Sequence, residues 1–593
     1  MSEKLQRLYR DELAFLRLQG KEFAERNPQL SRFLASEDAD PDVERLLEGF
    51  TFLSARLREK IEDDFPELTR SLLALLWPNY LRPVPSMTMM RFDPVENRLS
   101  QREVIPKNIS LMSEPVDGIP CEFQNSSELD IYPLRIQDVE EQHSRDKSII
   151  ALTLHTLVGQ PIADVGCDSL ELYLSGDDYT ALTLYLWSFR YLDKIIVKGK
   201  NSEKRLSADA IEAMGFTPQE AMLPYPRNVF DGYRIIQEFL SFQRRFYQFK
   251  VKGLQRCWPA TDPEARLEFH FNCAMPDDIK VRENDFALFC APAVNLFEHT
   301  AEPLGMSGER IVYPLRPSNN EDRRYEIFSV DEVSGSKVKN SQKESEKRPQ
   351  KDRVYSPFES FQHEIERQRD RNELYYRTEV RESVKDDSLQ YFISFLRSDE
   401  AHYVGDNETV SVDLHCTNGS LPDALGIGDV YIPTEDSPAY ITFTNIVKPT
   451  PTCRPVLDDS LHWTLISNMA LNYLSMLDPE PLKNIIRSYD FPALHDVQAQ
   501  RRSQKRLAAI QNIETKPVDR LIKGFPVRGL ESTIQMDAEG FLCDGEMYLF
   551  GSVLAKFFSL YSSINSFHIL NVHNLGNNER YSWKLETGAQ PVI

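Results

Sequence analysis

The feature that most constrains this chain is a change of hydrophobic period about ninety residues from its start. Before that point apolar side chains return every three or four positions. Tyr9, Leu13, Leu16, Gly20 and Phe23 form one such row, and Val43, Leu46, Leu47, Phe50, Leu53, Leu57 and Ile61 form a second. This spacing lays each row along one face of a helix. Asp40-Pro41 offers the second helix a cap and a first-turn proline. Pro28 and Pro66 close the two helices, because the residue before a proline is pushed out of helical geometry. A shorter helix is expected over 67–77, then an extended crossing through Pro78, Pro83 and Pro85.

From Arg91 the period falls to two. Ile150, Leu152 and Leu154 alternate with Ala151, Thr153 and His155, and the sets Leu170, Leu172, Leu174 and Leu267, Phe269, Phe271 repeat the pattern. Such alternation marks half-buried strands. Helices are expected to interrupt them at 179–189 and 207–214, and the aromatic run 229–254 is expected in a packed β core. Ser334–Arg353 holds Val338 as its one aliphatic residue among many charges, and reads as a solvated linker or as a contact to an acidic partner. Short strands resume over 387–447, and the helical period returns through Leu461, Leu465, Met469, Asn472 and Met476. A last helix is expected near Glu546–Tyr561, with Leu549, Phe550, Val553 and Phe557 on its stripe. The fold expected is α+β and multidomain: a helical N-terminal region (1–90), a mainly β domain with helical insertions (91–333), the charged linker (334–353), a small β-rich domain (354–457) and a mixed C-terminal α+β domain with amphipathic helices (458–593).

Charge narrows the function. Lys and Arg number 69 against 91 Asp and Glu, a formal net charge of −22, so phosphate backbones and anionic lipids would be repelled. No run approaches the roughly 18 apolar residues of a membrane span, and the charged N-terminus lacks a signal-peptide core. A cytoplasmic location is expected, with the eight dispersed cysteines as free thiols. Signatures of chemistry fail one by one. His363-Glu364-Ile365-Glu366-Arg367 puts Arg where a zinc protease needs its second histidine. Gly426-Ile427-Gly428-Asp429-Val430-Tyr431 lacks the third glycine of a dinucleotide loop and reads as a turn. His415 and Cys416 are neighbours on a strand and should face opposite ways. The acid pairs Asp177-Asp178, Asp277-Asp278 and Asp458-Asp459 read as helix caps and loop starts. No catalytic, cofactor or metal residue is expected, and the chain is not expected to be an enzyme.

Several long blocks are idiosyncratic. They are YRDELAFLRLQGKEFAERNP (9–28), DPDVERLLEGFTFLSARLREKIEDDFPELTRSLLALLWPNYLRPVPSM (40–87), FDGYRIIQEFLSFQRRFYQF (230–249), CAPAVNLFEHTAEPL (290–304), LISNMALNYLSML (465–477) and MYLFGSVLAKFFSLYSSINSF (547–567). In this order they resemble the TssF family, also called ImpG or VasA, of type VI secretion baseplate subunits. The resemblance implies a non-enzymatic wedge protein. Two TssF copies would join one TssG, six wedges would surround the VgrG spike, TssK would link them to the membrane complex, and TssE would link them to the contractile sheath. Such a particle attacks neighbouring bacteria. The candidate interface residues are Leu46, Leu47, Phe50, Leu53, Leu57, Tyr80, Leu549, Phe550 and Phe557. Burial in the chain's own core is the competing expectation for the 46–57 stripe, because cores and obligate interfaces share a composition. Two other functions fit the residues: a baseplate protein of another contractile particle such as a phage tail, or a soluble hydrolase whose carboxylates converge only in the fold.

Overall fold

The computed structural model describes residues 9–10, 49–53, 72–73, 77–225, 230–306, 310–319, 324–337, 353–358, 374–382, 389–397, 403, 408–455, 465, 477–522 and 524–588. The chain divides into two units, one drawn from 1–81 and 456–470, the other from 82–455 and 471–593. In the first, residues 9–10, 49–53, 72–73 and 465 are helical, and Pro78–Tyr80 makes a 3-10 turn. The rest of the two expected N-terminal stripes lies outside the described residues.

The second unit is a mixed α+β body rich in strands. Its six-stranded sheet runs in the order Val430–Ile432, Ser110–Val116, Ile119–Asn125, Cys290–Val294, Met87–Pro94, Ile441–Asn445. One buried side chain draws its two outer strands together. Asn445 Oδ1 accepts from the backbone N–H groups of Gly428 (3.0 Å) and Val430 (2.9 Å), while its Nδ2 donates to the carbonyls of Gly426 (2.8 Å) and Val447 (3.0 Å). An amide with two donors and an acceptor oxygen is the one short side chain that can satisfy such a set. The 426–429 segment is therefore a turn leading into the strand Val430–Ile432, with Gly428 at φ +93°, as its sequence suggests.

Alternation served well for the next sheet. Ser148–Thr156 and Glu264–Phe271 pair antiparallel at the centre of five strands, with Leu152 opposite Leu267. Ser169–Leu174 lies in a separate four-stranded sheet beside Gln248–Lys252. The helix expected over 207–214 is reduced to a 3-10 turn, Ala208–Ala210, followed by a short strand, Ile211–Ala213, paired with Phe249–Val251. Helix propensity over so few residues is worth at most a few kcal/mol, and pairing with a buried aromatic strand overrides it. The aromatic run is not a pure β core: α2 below takes its first half, and only Gln248–Lys252 is strand.

The described strands between Phe297 and Thr417 build a small barrel. Phe297–Thr300 and Leu304–Met306 pair with Glu408–Thr417, and the order continues through Glu326–Lys337, Arg353–Pro357, Leu374–Glu382, Leu389–Arg397 and Val312–Leu315. A bridge between Ala301 and Pro317 closes the ring, with Glu302 and Ser318 N–H groups each 2.9 Å from the carbonyls of Arg316 and Thr300. Val333, Ile393, Phe395, Val410 and Cys416 fill the interior. His415 faces out to Asp331 while Cys416 faces in, as neighbours on a strand must. This sheet crosses the expected boundaries: Val333 pairs with Tyr355 and Gly335 with Arg353, so 334–353 joins two adjacent strands of one barrel rather than two domains. A charged connection within one sheet and an interdomain linker share a composition, and sequence could not separate them.

The second unit has six α-helices among its described residues: α1 (Asp178–Leu186), α2 (Asp231–Ser241), α3 (Pro479–Ser488), α4 (Phe491–His495), α5 (Val497–Ala509) and α6 (Asp544–Tyr561). Asp177 caps α1, accepting from Thr180 N (3.0 Å) and Thr180 Oγ1 (2.8 Å), which holds its carboxyl below the usual range. This is the cap reading of Asp177-Asp178. A last sheet pairs Ile510–Ile522 with Phe525–Met536 as a long hairpin, and Phe525–Met536 runs parallel to Phe567–Asn574. All eight cysteines are free.

Candidate partner interface

The expected interface residues separate sharply. Leu549, Phe550 and Phe557 lie on α6 and are buried, as are Met547, Val553, Leu554 and Phe558 around the same helix. The helix packs against α1, α2 and the strand Phe567–Asn574. The Phe557 ring sits 5.7 Å from Tyr233 and 6.1 Å from Phe230, and Phe550 sits 5.8 Å from Phe239 and 5.7 Å from Phe541. Arg506 on α5 lies over the Phe239 ring at 5.1 Å and reaches Glu546 Oε1 of α6 at 2.6 Å. These three residues belong to the chain's own core, not to an exposed interface. A helix apolar around most of its circumference looks amphipathic when only one stripe is counted, yet it packs as a core helix. Tyr80 is likewise buried.

Phe50 and Leu53 behave differently. They stand three residues apart on the helical segment 49–53 and are 61% and 63% exposed, while Thr51 between them is buried. Covering each such side chain would gain about 1.5–3 kcal/mol. Leu46, Leu47 and Leu57 lie outside the described residues. A second exposed apolar pair escaped sequence reasoning: Leu521 is 77% and Phe525 is 73% exposed at the tip of the 510–536 hairpin. The available signal was Lys523-Gly524, a turn pair between two alternating runs.

The buried charges are tied to one another rather than gathered in a cleft. Arg234 on α2 contacts Asp231 Oδ1 at 2.5 Å and Glu238 Oε2 at 3.0 Å. Burial pushes the Glu238 carboxyl up while Arg234 pulls it down, and the net shift is upward. Arg244 pairs with Asp178 at 2.9 Å, and Arg245 is wholly buried beside Gln248 Oε1 at 3.0 Å. Among the described residues no three His, Cys, Asp or Glu side chains cluster as metal ligands. No described helix is long and apolar enough to cross a membrane.

The family model for the type VI secretion protein TssF matches residues 1–590. The chain belongs to the TssF family. Type VI secretion component TssF1 of Pseudomonas aeruginosa PAO1 is 27% identical over 644 residues, covering all of both chains. A chain of the TssK-TssF-TssG baseplate subcomplex, solved by cryo-electron microscopy, superposes with a TM-score of 0.77 at 28% identity, over 91% of this chain and 98% of its own length. A chain of a type VI baseplate complex shares the fold at a TM-score of 0.59 and 24% identity, covering 99% and 100%. This TssF-family chain is a structural component of a type VI secretion baseplate.

Proposed function

We propose that this chain is a non-catalytic wedge subunit in which two copies join one TssG, and that the 46–57 stripe forms part of a mixed helical bundle with TssG. The observation that carries the bundle is the exposure of Phe50 and Leu53 on one helical segment. The relative solved with TssK and TssG supports those two partners. TssE, the VgrG spike and the sheath follow from the wedge role, as does a position at the cytoplasmic face of the inner membrane, where TssK would meet the membrane complex. The mechanism is geometric: wedges hold the spike and the first sheath ring until docking alters their packing and releases contraction.

Co-expression with the cognate TssG, followed by native mass determination, tests this. A stable two-to-one complex is expected. Phe50→Asp should stay folded and lose TssG, whereas Phe557→Asp should fail to fold. A folded Phe50→Asp protein that retains TssG would remove the stripe from the interface.

A further inference from the structure

The 510–536 hairpin outruns the sheet it belongs to. Its second strand pairs with Phe567–Asn574 only from Leu530, opposite His568, inward. Beyond that point the two strands continue alone for five rungs, from Val518–Gly529 to Ile522–Phe525. At about 3.4 Å per residue this free end extends about 15 Å past the third strand. Among its described residues only Gly529 is buried. Leu521 and Phe525, at its tip, are the two most exposed large hydrophobic residues described. Arg520 and Arg528 stand exposed one or two rungs behind them, and Lys523 adds a third cation to a sequence whose single acid there is Asp519. The tip is thus apolar and locally cationic, on a chain whose net charge is −22.

We propose that this tip is a reversible anchor for an anionic lipid surface. Leu521 and Phe525 enter the boundary between headgroups and acyl chains, while Arg520 and Arg528 stay at the lipid phosphates. Apolar residues at the end with cations behind them match the order in which a bilayer presents acyl chains beneath phosphates. The reach of the hairpin matters twice. An interfacial segment sinks about 5–10 Å, which the free rungs exceed without bringing the sheet into contact. The tip also lies beyond the roughly 8 Å over which charges act on one another in physiological salt, so the lipid meets the local cations rather than the acidic body. The backbone suits the site, because lipid offers no water to unpaired amides: the ladder is closed to its last rung, and Pro526 has no N–H. Two apolar side chains and a few cations hold less firmly than one acyl chain, which itself binds reversibly. The contact needs neither TssG nor the wedge, so it and that reading can fail separately.

Flotation of the full chain with vesicles is the test, comparing mixed phosphatidylglycerol and phosphatidylethanolamine with phosphatidylcholine alone. Binding to the anionic vesicles is expected. It should weaken about tenfold or more with Leu521→Asp, with Phe525→Asp, with the pair R520E/R528E, and on phosphatidylcholine. Circular dichroism should stay unchanged, because the replaced side chains are exposed. Phe525→Trp should be quenched by brominated acyl chains, a signal that a purely electrostatic contact at the headgroups would not give. A chain that floats with neither vesicle, binding indifferent to the apolar substitutions, or a tip tryptophan untouched by brominated lipid would overturn the proposal. So would tip variants that keep vesicle binding and lose TssG, which would give the tip to a protein partner.

Discussion

His568 sits buried behind α6, its Nε2 3.0 Å from Ser532 Oγ and its ring 5.1 Å from that of Phe558. Burial disfavours the charged ring and lowers its pKa from the ordinary 6.5 to about 4. Between those values the unfolded chain binds a proton that the folded chain refuses. This residue's contribution is therefore whole above pH 6.5 and is lost as pH falls toward 4, at about 1.4 kcal/mol per pH unit. Its share of stability at pH 5 should be about 2 kcal/mol below that at pH 7. Urea unfolding of the wild type and His568→Gln, which keeps a polar partner for Ser532, measures the difference. The variant should show a pH slope shallower by close to one proton across that window; equal slopes would mean that the folded protein admits the charge.

At the scale of elements, α6 shows why a helix can be legible while its role is not. Its extent was plain from the stripe, and the structure runs Asp544–Tyr561 against the expected 546–561. The burial of most of its circumference was not, since the neighbours that cover it, α1, α2 and the 567–574 strand, come from elsewhere in the chain. One close approach fixes the packing. A Cβ added at Gly545 would overlap the backbone carbonyl of Leu182 on α1, and a backbone atom cannot swing aside. Gly545→Ala should destabilise by about 1–3 kcal/mol or more, the usual cost of overpacking. A Cβ at Gly49 meets nothing within 4 Å, so Gly49→Ala should be neutral or gain up to about 1 kcal/mol from helix propensity. Thermal unfolding of the two variants side by side separates close packing from a general dislike of side chains at glycine positions. The short elements were legible only where they alternated: Ser148–Thr156 was plain, whereas Ile211–Ala213 took its strand from pairing with Phe249–Val251, a partner no local pattern reveals.

For the whole molecule, period and composition predict a string of domains, yet the described strands weave between them. Strands 389–397 and 408–417 close a barrel begun at Phe297, while strands 430–432 and 441–445 return to the sheet that starts at Met87. Period and composition report what each segment is, and they carry no record of which distant strand it pairs with. The candidate site followed the same rule: Phe50 and Leu53 were legible as a helical stripe, whereas exposure had to come from the fold. The charged stretch then becomes a test of the weave. Gly335 pairs with Arg353, so 336–352 spans the gap between two hydrogen-bonded neighbours. Replacing 338–350 by a short glycine-asparagine turn should leave the barrel intact. It should also raise stability by about 1 kcal/mol, because a shorter loop costs less closure entropy. Were this a joint between two domains, the same deletion would strain their arrangement and lower the unfolding midpoint. Urea titration of the shortened chain distinguishes the two, and TssG capture by the same protein shows whether the charged residues serve a partner as well.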